Sequence, residues 1–310
     1  MSSPLDGEHE HSENMITITP ISVADFDNVF EGNLKNASIP NSSWMGEASA
    51  YFRLEGLVQR QPLVSLFEGR TPDGKVALFS GSLQEAAPDG WMIQFTAPPT
   101  VRNVWALAPS REQAEFQISH EHATNYCLSS LERALRGPAN GRLETQMPGI
   151  ALAVASEDPV KQRVPELRSI AFLPNLHMPI HGKTDRIPLP TDVLERKAKA
   201  LNSLYTEKLF GRLHWSLGLE FVKEGQNEAR LIGVPDALDF SSGTRSKQAS
   251  SLAKFLKSPL ALQFQDWRSR VAGQGWDTND AKALLQFSRE RKSIWSAFEN
   301  ARLERLEKKR

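Results

Sequence analysis

The sequence lacks a second cysteine and any long apolar run, and each of these absences excludes a class of protein. Its 310 residues contain one cysteine, Cys127. One cysteine forms neither an internal disulfide nor a cysteine-based zinc site, so the sequence excludes a secreted disulfide scaffold and indicates a reducing compartment. No apolar run approaches the roughly 18 to 20 residues that span a bilayer. We therefore expect a cytoplasmic protein that does not insert into a membrane.

Net charge is also absent, but its zero value hides a strong asymmetry along the chain. Residues 1–50 carry eight acidic residues and one basic residue, 51–240 carry 22 and 21, and 241–310 carry seven and fifteen, which gives −7, −1 and +8. An acidic front and a basic back attract each other within or between chains, or the basic end binds a polyanion. The sequence leaves these alternatives open.

Composition is typical of a folded protein and divides the chain into four regions. Hydrophobic residues make up 40% and charged residues 24% of the chain, as in ordinary globular proteins. Residues 1–14 are polar and lack the basic and apolar segments of a signal peptide, so we predict a disordered acidic tail there. We assign 15–108 to a β-rich region, 109–240 to a mixed α/β region and 241–310 to a basic helical region. One domain and two domains both fit this pattern.

The first half of the chain alternates short apolar runs with turn signals, which is typical of an antiparallel meander. A first strand is predicted around residues 16–21, and further strands at 51–58, 63–67, 76–83, 91–96 and 101–107. The sequence Pro72-Asp73-Gly74 predicts a chain reversal, because proline presets φ and glycine accepts a positive φ.

The second half shows helical periods with strands between them. An apolar stripe predicts a central amphipathic helix over 110–136, and short apolar runs predict strands at 150–155 and 167–173. A helix begins near Asp192 and is predicted to end at Gly211, followed by a strand over 212–222 that pairs with 229–234. Asp277 caps the last helix. The predicted fold class is α+β, with an antiparallel β-rich N-terminal half, a central helix, a further β-hairpin and a helical C-terminal third.

Several short patterns suggest chemistry without the context that the chemistry needs. Gly182-Lys183-Thr184 resembles the end of a phosphate-binding loop, but Pro188 and Pro190 follow where a helix should begin. His177, His181 and Asp185 have metal-ligand spacing, yet Pro179 interrupts any helix that would align them. We predict no metal site and no cofactor. Cys127 and His120 share a helical face at about 10 Å along its axis, too far for proton transfer, so a buried core cysteine is expected.

An enzyme remains an alternative through the polar side of the predicted strand 212–222. Alternation places Arg212, His214, Ser216 and Glu220 on one side of a sheet. A histidine beside a glutamate can act as a general acid or base, and an arginine can clamp a phosphate or carboxylate. With His181 and Asp185 from the 174–190 loop, these residues form the site of a hypothetical hydrolytic enzyme. A solvated strand face explains the same pattern.

The leading hypothesis is a non-enzymatic protein that uses its basic C-terminal region to bind nucleic acid or an acidic protein. Cations interleaved with Trp267, Trp276 and Trp295 suit a phosphate backbone and stacked bases. A solvated helix face and self-association through the acidic and basic ends, which would make the protein an oligomer, are the alternatives. The predicted nucleic-acid-binding residues are Arg289, Arg291, Lys292, Arg302, Arg305, Lys308, Lys309 and Arg310.

Overall fold

The computed structural model combines a five-stranded sheet, a separate hairpin and six helices in the residues that it describes. These residues are 15–24, 38–39, 41–78, 88–135, 150–156, 167–175, 191–224, 228–234, 272–273 and 275–307. The strands are β1 (Ile16–Ile21), β2 (Ser42–Met45), β3 (Gly90–Thr96), β4 (Leu152–Ser156), β5 (Arg168–Pro174), β6 (Phe221–Glu224) and β7 (Glu228–Leu231). The helices are α1 (Glu47–Tyr51), α2 (Arg60–Phe67), α3 (Pro99–Leu107), α4 (Ser110–Leu135), α5 (Thr191–Leu217) and α6 (Thr278–Glu307). The predicted α+β class is confirmed.

The sheet is antiparallel throughout and has the strand order β1-β3-β5-β4-β2. Successive side chains of a strand point to opposite faces, and both faces are apolar here. On one face, Ile93, Phe95 and Leu173 pack into a core with α3, α4 and α5. On the other face, Ile170 and Phe172 join a smaller core with α2. The central strands are therefore buried on both sides.

Helices α4 and α5 pack together and cover the larger core. The predicted stripe of α4 is confirmed up to Leu131, since Phe116, His120, Ala123, Cys127 and Leu131 are all buried. Ala134, the last predicted member of the stripe, is exposed. The buried cysteine is also confirmed, and burial raises the pKa of the Cys127 thiol to about 12. In the described part of the chain, no helix combines the length and the apolar character that crossing a membrane requires.

The predicted meander between residues 48 and 108 is wrong in most of its strands. Among the described residues of these runs, only 91–96 form a strand, β3, whereas the runs at 63–67 and 101–107 lie in the helices α2 and α3. Residues 79–83 of the run at 76–83 lie outside the described residues. Pro62 and Pro99 mark the first turns of these helices, where a missing N–H costs nothing. Short apolar runs do not distinguish a strand from a helix, and a proline beside such a run fits a turn as well as the first turn of a helix.

The predicted reversal at Pro72-Asp73-Gly74 is present, and in the part of the chain that the structure describes it is flanked by a bridge between Arg70 and Ala77. Gly74 has a φ of +73°, and the Thr71 N–H donates to the Val76 carbonyl at 2.8 Å. Hydrogen bonds from the Thr71 hydroxyl and the Lys75 N–H to the Asp73 carboxylate lower the pKa of Asp73.

The predicted strand over 212–222 is wrong up to its last residues, because α5 continues to Leu217. Leu209, Leu213 and Leu217 are buried at intervals of four, which is a helical period. The glycine that ends the helix is Gly218, with a φ of +71°, whereas Gly211 lies within the helix. The predicted hairpin is present, but its first strand is β6, which begins later than predicted and pairs with β7.

Candidate nucleic-acid interface

The predicted basic residues in the first part of α6 face acidic partners in the same chain. Arg289 forms an ion pair with Glu112, whose side chain is 5% exposed. The Arg291 guanidinium donates to the Glu220 carboxylate at 2.7 Å. A buried carboxylate without a partner would be strongly destabilising, so Arg289 has a structural role in holding α6 against α4.

Lys292 joins α6 to the end of α5. Its ammonium donates to the carbonyl of Trp215 and, at 3.2 Å, to that of Ser216. The last carbonyls of a helix have no partner within the helix, and a positive charge there also complements the helix dipole. Gly218 lets α6 approach this closely, since a β-carbon at that position would lie 2.5 Å from the Ser288 carbonyl oxygen.

The start of α6 has the predicted cap. The Asp277 carboxylate accepts hydrogen bonds from the N–H groups of Asn279 and Asp280, at 2.6 and 3.3 Å. The Asp277 N–H donates in return to the Asp280 carboxylate at 2.7 Å. This reciprocal arrangement is a capping box. Trp276, next to it, is half-buried against the larger core, so it belongs to the core rather than to a surface for stacked bases.

The remaining predicted binding residues lie near or beyond the end of the described chain. Arg302 and Arg305 belong to the last turns of α6. Lys308, Lys309 and Arg310 lie outside the described residues, as does Trp267, whereas Trp295 lies within α6. Their role in binding nucleic acid stays a prediction.

The sequence interpretation missed an exposed tryptophan in this region. Trp215 is 70% exposed, although the strand pattern placed it in the core with Leu213 and Leu217. In a helix, residues two apart are separated by about 200° around the axis, so the leucines that face the core turn Trp215 outward. Treating residues 209–217 as a continuation of α5 would have revealed it.

The residues of the hypothetical hydrolytic site do not meet as predicted. Because Arg212 and His214 lie on a helix, they do not share a strand face with Glu220. The His214 Nδ1–H donates to the Leu219 carbonyl at 3.0 Å, while Glu220 pairs with Arg291. His181 and Asp185 lie outside the described residues. The strand half of this site is therefore wrong.

A histidine in the core has both ring nitrogens occupied. The imidazole of His120 lies 2.6 Å through Nδ1 from the Tyr205 hydroxyl and 2.9 Å through Nε2 from the Ser169 hydroxyl. Burial lowers the pKa of His120 to about 3 and raises the pKa of Tyr205. The group joins α4, α5 and β5, and no solvent-borne substrate reaches it.

Comparison with known proteins identifies the family. The sequence profile of the TrwC relaxase family matches residues 33–302, so the chain belongs to this family. Among curated proteins, it is similar to the multifunctional conjugation protein TraI of Escherichia coli K12, with 22% identity over 193 residues, which is 61% of this chain. The chain spans about a tenth of the length of these relatives, since the match covers 11% of TraI.

Solved structures with a similar fold include those of the conjugative relaxase TrwC in complex with oriT DNA. A metal-bound form matches with a TM-score of 0.64 and 16% identity over 85% of this chain and 100% of that one. A metal-free form matches with a TM-score of 0.58 and 18% identity over 89% of this chain and 91% of that one. Relaxases are enzymes that nick DNA, so the family does not support the non-enzymatic part of our leading hypothesis.

The metal of some relatives does not fit the side chains that the structure describes. Among these residues, no three histidine, cysteine, aspartate or glutamate side chains come together as a ligand set. His120 uses both ring nitrogens in the core, and both faces of the central strands are apolar. His9, His11, His177 and His181 lie outside the described residues. We therefore derive no step through a metal ion.

Proposed function

We propose that this chain binds DNA as the DNA-binding part of a relaxase. The observation that carries the proposal is the match of the family profile over residues 33–302. The fold that the chain shares with TrwC in its oriT complexes supports the same function. A DNA of the oriT type, with a recognition hairpin and a cleavage site, is accordingly a ligand to test.

The basic end of the chain supplies the phosphate contacts in this proposal. Arg289 and Arg291 are paired with carboxylates, so we assign the phosphate contacts to the cations at the C-terminal end of the chain. These are Arg302, Arg305, Lys308, Lys309 and Arg310. Each cation that neutralises a phosphate releases counterions, which makes the affinity depend on salt concentration.

Fluorescence anisotropy with a labelled 20-nucleotide single strand and its duplex, at several salt concentrations, tests the proposal. A chain that ends at Asn300 loses five cations. If all five contact phosphates, the slope of log affinity against log salt becomes shallower by about 4.5 on the duplex and about 3.5 on the single strand. An unchanged slope would contradict the assignment of phosphate contacts to this end.

Substitutions that remove equal charge from two places give a matched control. The double variant Arg302→Gln with Arg305→Gln should lose affinity and reduce the slope. The double variant Arg70→Gln with Lys75→Gln removes two exposed cations from the turn near Gly74 and should retain both. Equal losses in the two variants would indicate a general charge effect instead of a defined contact.

DNA nicking is the second candidate, and the family is the observation that favours it. The test is the conversion of a supercoiled oriT plasmid to its open circular form. The loop that contains His181 and Asp185 is the candidate source of catalytic side chains, so His181→Ala and Asp185→Ala should abolish nicking while DNA affinity remains. DNA binding without nicking by the unaltered chain would leave the first proposal standing and reject the second.

A further inference from the structure

A surface of mixed aromatic and basic character lies where α5, the turn after β7 and α6 meet. We define this α5–α6 surface by Trp215, Ile232, Phe287, Arg291 and Lys292. The contacts that join it run from Lys292 to the Trp215 carbonyl and from Arg291 to Glu220. The N–H of Ile232 donates to the carbonyl of the same glutamate at 2.9 Å. Phe287 lies one helical turn before Arg291, on the same side of α6.

Three large apolar side chains of this surface are in contact with water. Trp215 is 70%, Phe287 61% and Ile232 51% exposed. Single exposed apolar residues are ordinary, so the site proposed below depends on Trp215, whose ring is in contact with a cation of α6. Trp215 has the largest side chain of the three and lies next to this cation, Lys292.

Lys292 is hydrogen-bonded to the backbone at the end of α5 and places a positive charge over the Trp215 ring. The ammonium lies 5.5 Å from the centroid of the Trp215 ring, within the range of a cation–π contact. Two carbonyls accept hydrogen bonds from this ammonium, which leaves one of its three donors for another acceptor. Glu290, two residues before Lys292 on α6, points to nearly the opposite side of the helix.

We propose that Trp215 stacks on a base of single-stranded DNA while Lys292 contacts the adjacent phosphate. The inference rests on the proposed DNA binding. It specifies where the DNA binds and that the bound segment is unpaired. An aromatic ring with a cation at its side matches the alternation of base and phosphate in a single strand. A duplex offers no free base face, because its bases stack on one another. The site therefore selects unpaired DNA.

Anisotropy with the single strand and the duplex described above tests the site in the full-length chain. Trp215→Ala should weaken binding of the single strand by about 5- to 150-fold, the range expected for one stacked base. Trp215→Phe keeps an aromatic face and should restore a large part of the affinity. The matched control is Tyr51→Ala, because Tyr51 is also 70% exposed but lies on α1. It should bind both DNA forms as the unaltered chain does.

The outcomes separate this inference from the function on which it rests. If the unaltered chain binds DNA and Trp215→Ala binds the single strand equally well, the stacking site is wrong and DNA binding stands. If Trp215→Ala loses affinity equally for single strand and duplex, the side chain does not act by stacking. If the unaltered chain binds neither form, both proposals fail. If Trp215→Ala converts an oligomer to a monomer in sedimentation without changing DNA affinity, the surface is a protein interface and the inference is overturned.

Discussion

The buried imidazole of His120 predicts a specific loss of stability in mild acid. Its two nitrogens meet hydroxyl groups of Tyr205 and Ser169 in a core without water access. Burial lowers the pKa of this imidazole to about 3 from its ordinary value of 6.5. The folded protein therefore keeps His120 neutral at a pH where the unfolded chain is protonated.

The sign and size of the effect follow from proton linkage. Below pH 6.5 the unfolded state binds a proton that the folded state does not, so the free energy of unfolding falls as the pH falls toward 3. The contribution approaches about 1.4 kcal/mol per pH unit. Between pH 7.5 and 5 it sums to about 2 kcal/mol, a large fraction of the stability of an ordinary domain.

Urea unfolding at pH 7.5 and pH 5, followed by circular dichroism, measures this contribution. Other groups also titrate over this interval, so the informative quantity is the difference between the unaltered chain and His120→Gln. The glutamine variant should lose about 2 kcal/mol less between the two pH values. His122→Gln, an exposed neighbour on the same helix, should lose as much as the unaltered chain. An equal loss in the His120→Gln variant would refute the assignment of a neutral buried imidazole.

Three further predictions concern the core and the contacts of α6. Cys127 should resist a thiol reagent in the folded chain and react in urea, because its thiol is buried with a pKa of about 12; ready reaction without urea would contradict its burial. Gly218→Ala should destabilise the fold by about 1–3 kcal/mol through its positive φ and its contact with α6. Gly211→Ala, with open space around it in a helix, should stabilise by about 0.5–1 kcal/mol, and similar effects of the two substitutions would argue against the close approach of α6. Arg289→Ala should cost about 1–3 kcal/mol because it leaves a buried carboxylate unpaired. Arg291→Ala should cost about 0–1 kcal/mol in the same urea measurement, because its partner Glu220 is partly exposed. An equal cost for the two arginine substitutions would contradict the difference in burial between their partners.

The sequence predicted those elements whose pattern is long or whose ends have a chemical signal. Helix α4 has an apolar stripe over 26 residues, and α6 begins with an aspartate pair that forms a capping box. The helices α2 and α3 have eight and nine residues, too short for a helical period to stand out from a buried strand. In α5, apolar residues at every second position suggested a strand. Leu213 and Leu217 are also one helical turn apart, so the same residues fit the buried side of a helix.

The candidate site was harder to predict, because its contacts connect distant parts of the chain. The charge excess after residue 241 correctly drew attention to α6 as a charged element. It did not reveal that Arg289 and Arg291 are paired, because Glu112 and Glu220 belong to other elements. Whether a cation binds a ligand or a neighbouring carboxylate depends on tertiary packing, which the local sequence does not determine. The exposure of Trp215 was hidden for a related reason, since it depends on where α5 ends.

The Lys292 ammonium has two roles. It holds α6 against the end of α5, and it lies next to the ring that we propose stacks on a base. Lys292 satisfies two carbonyls at the end of α5 and lies beside the ring of the residue that carries one of them. It reaches them because Gly218 has no side chain to separate α6 from α5. Any change that moves the helices apart therefore weakens the fold and withdraws the cation from Trp215 at once. In the Gly218→Ala variant, reduced stability and reduced affinity for single-stranded DNA should consequently occur together, whereas Trp215→Ala should reduce the affinity alone.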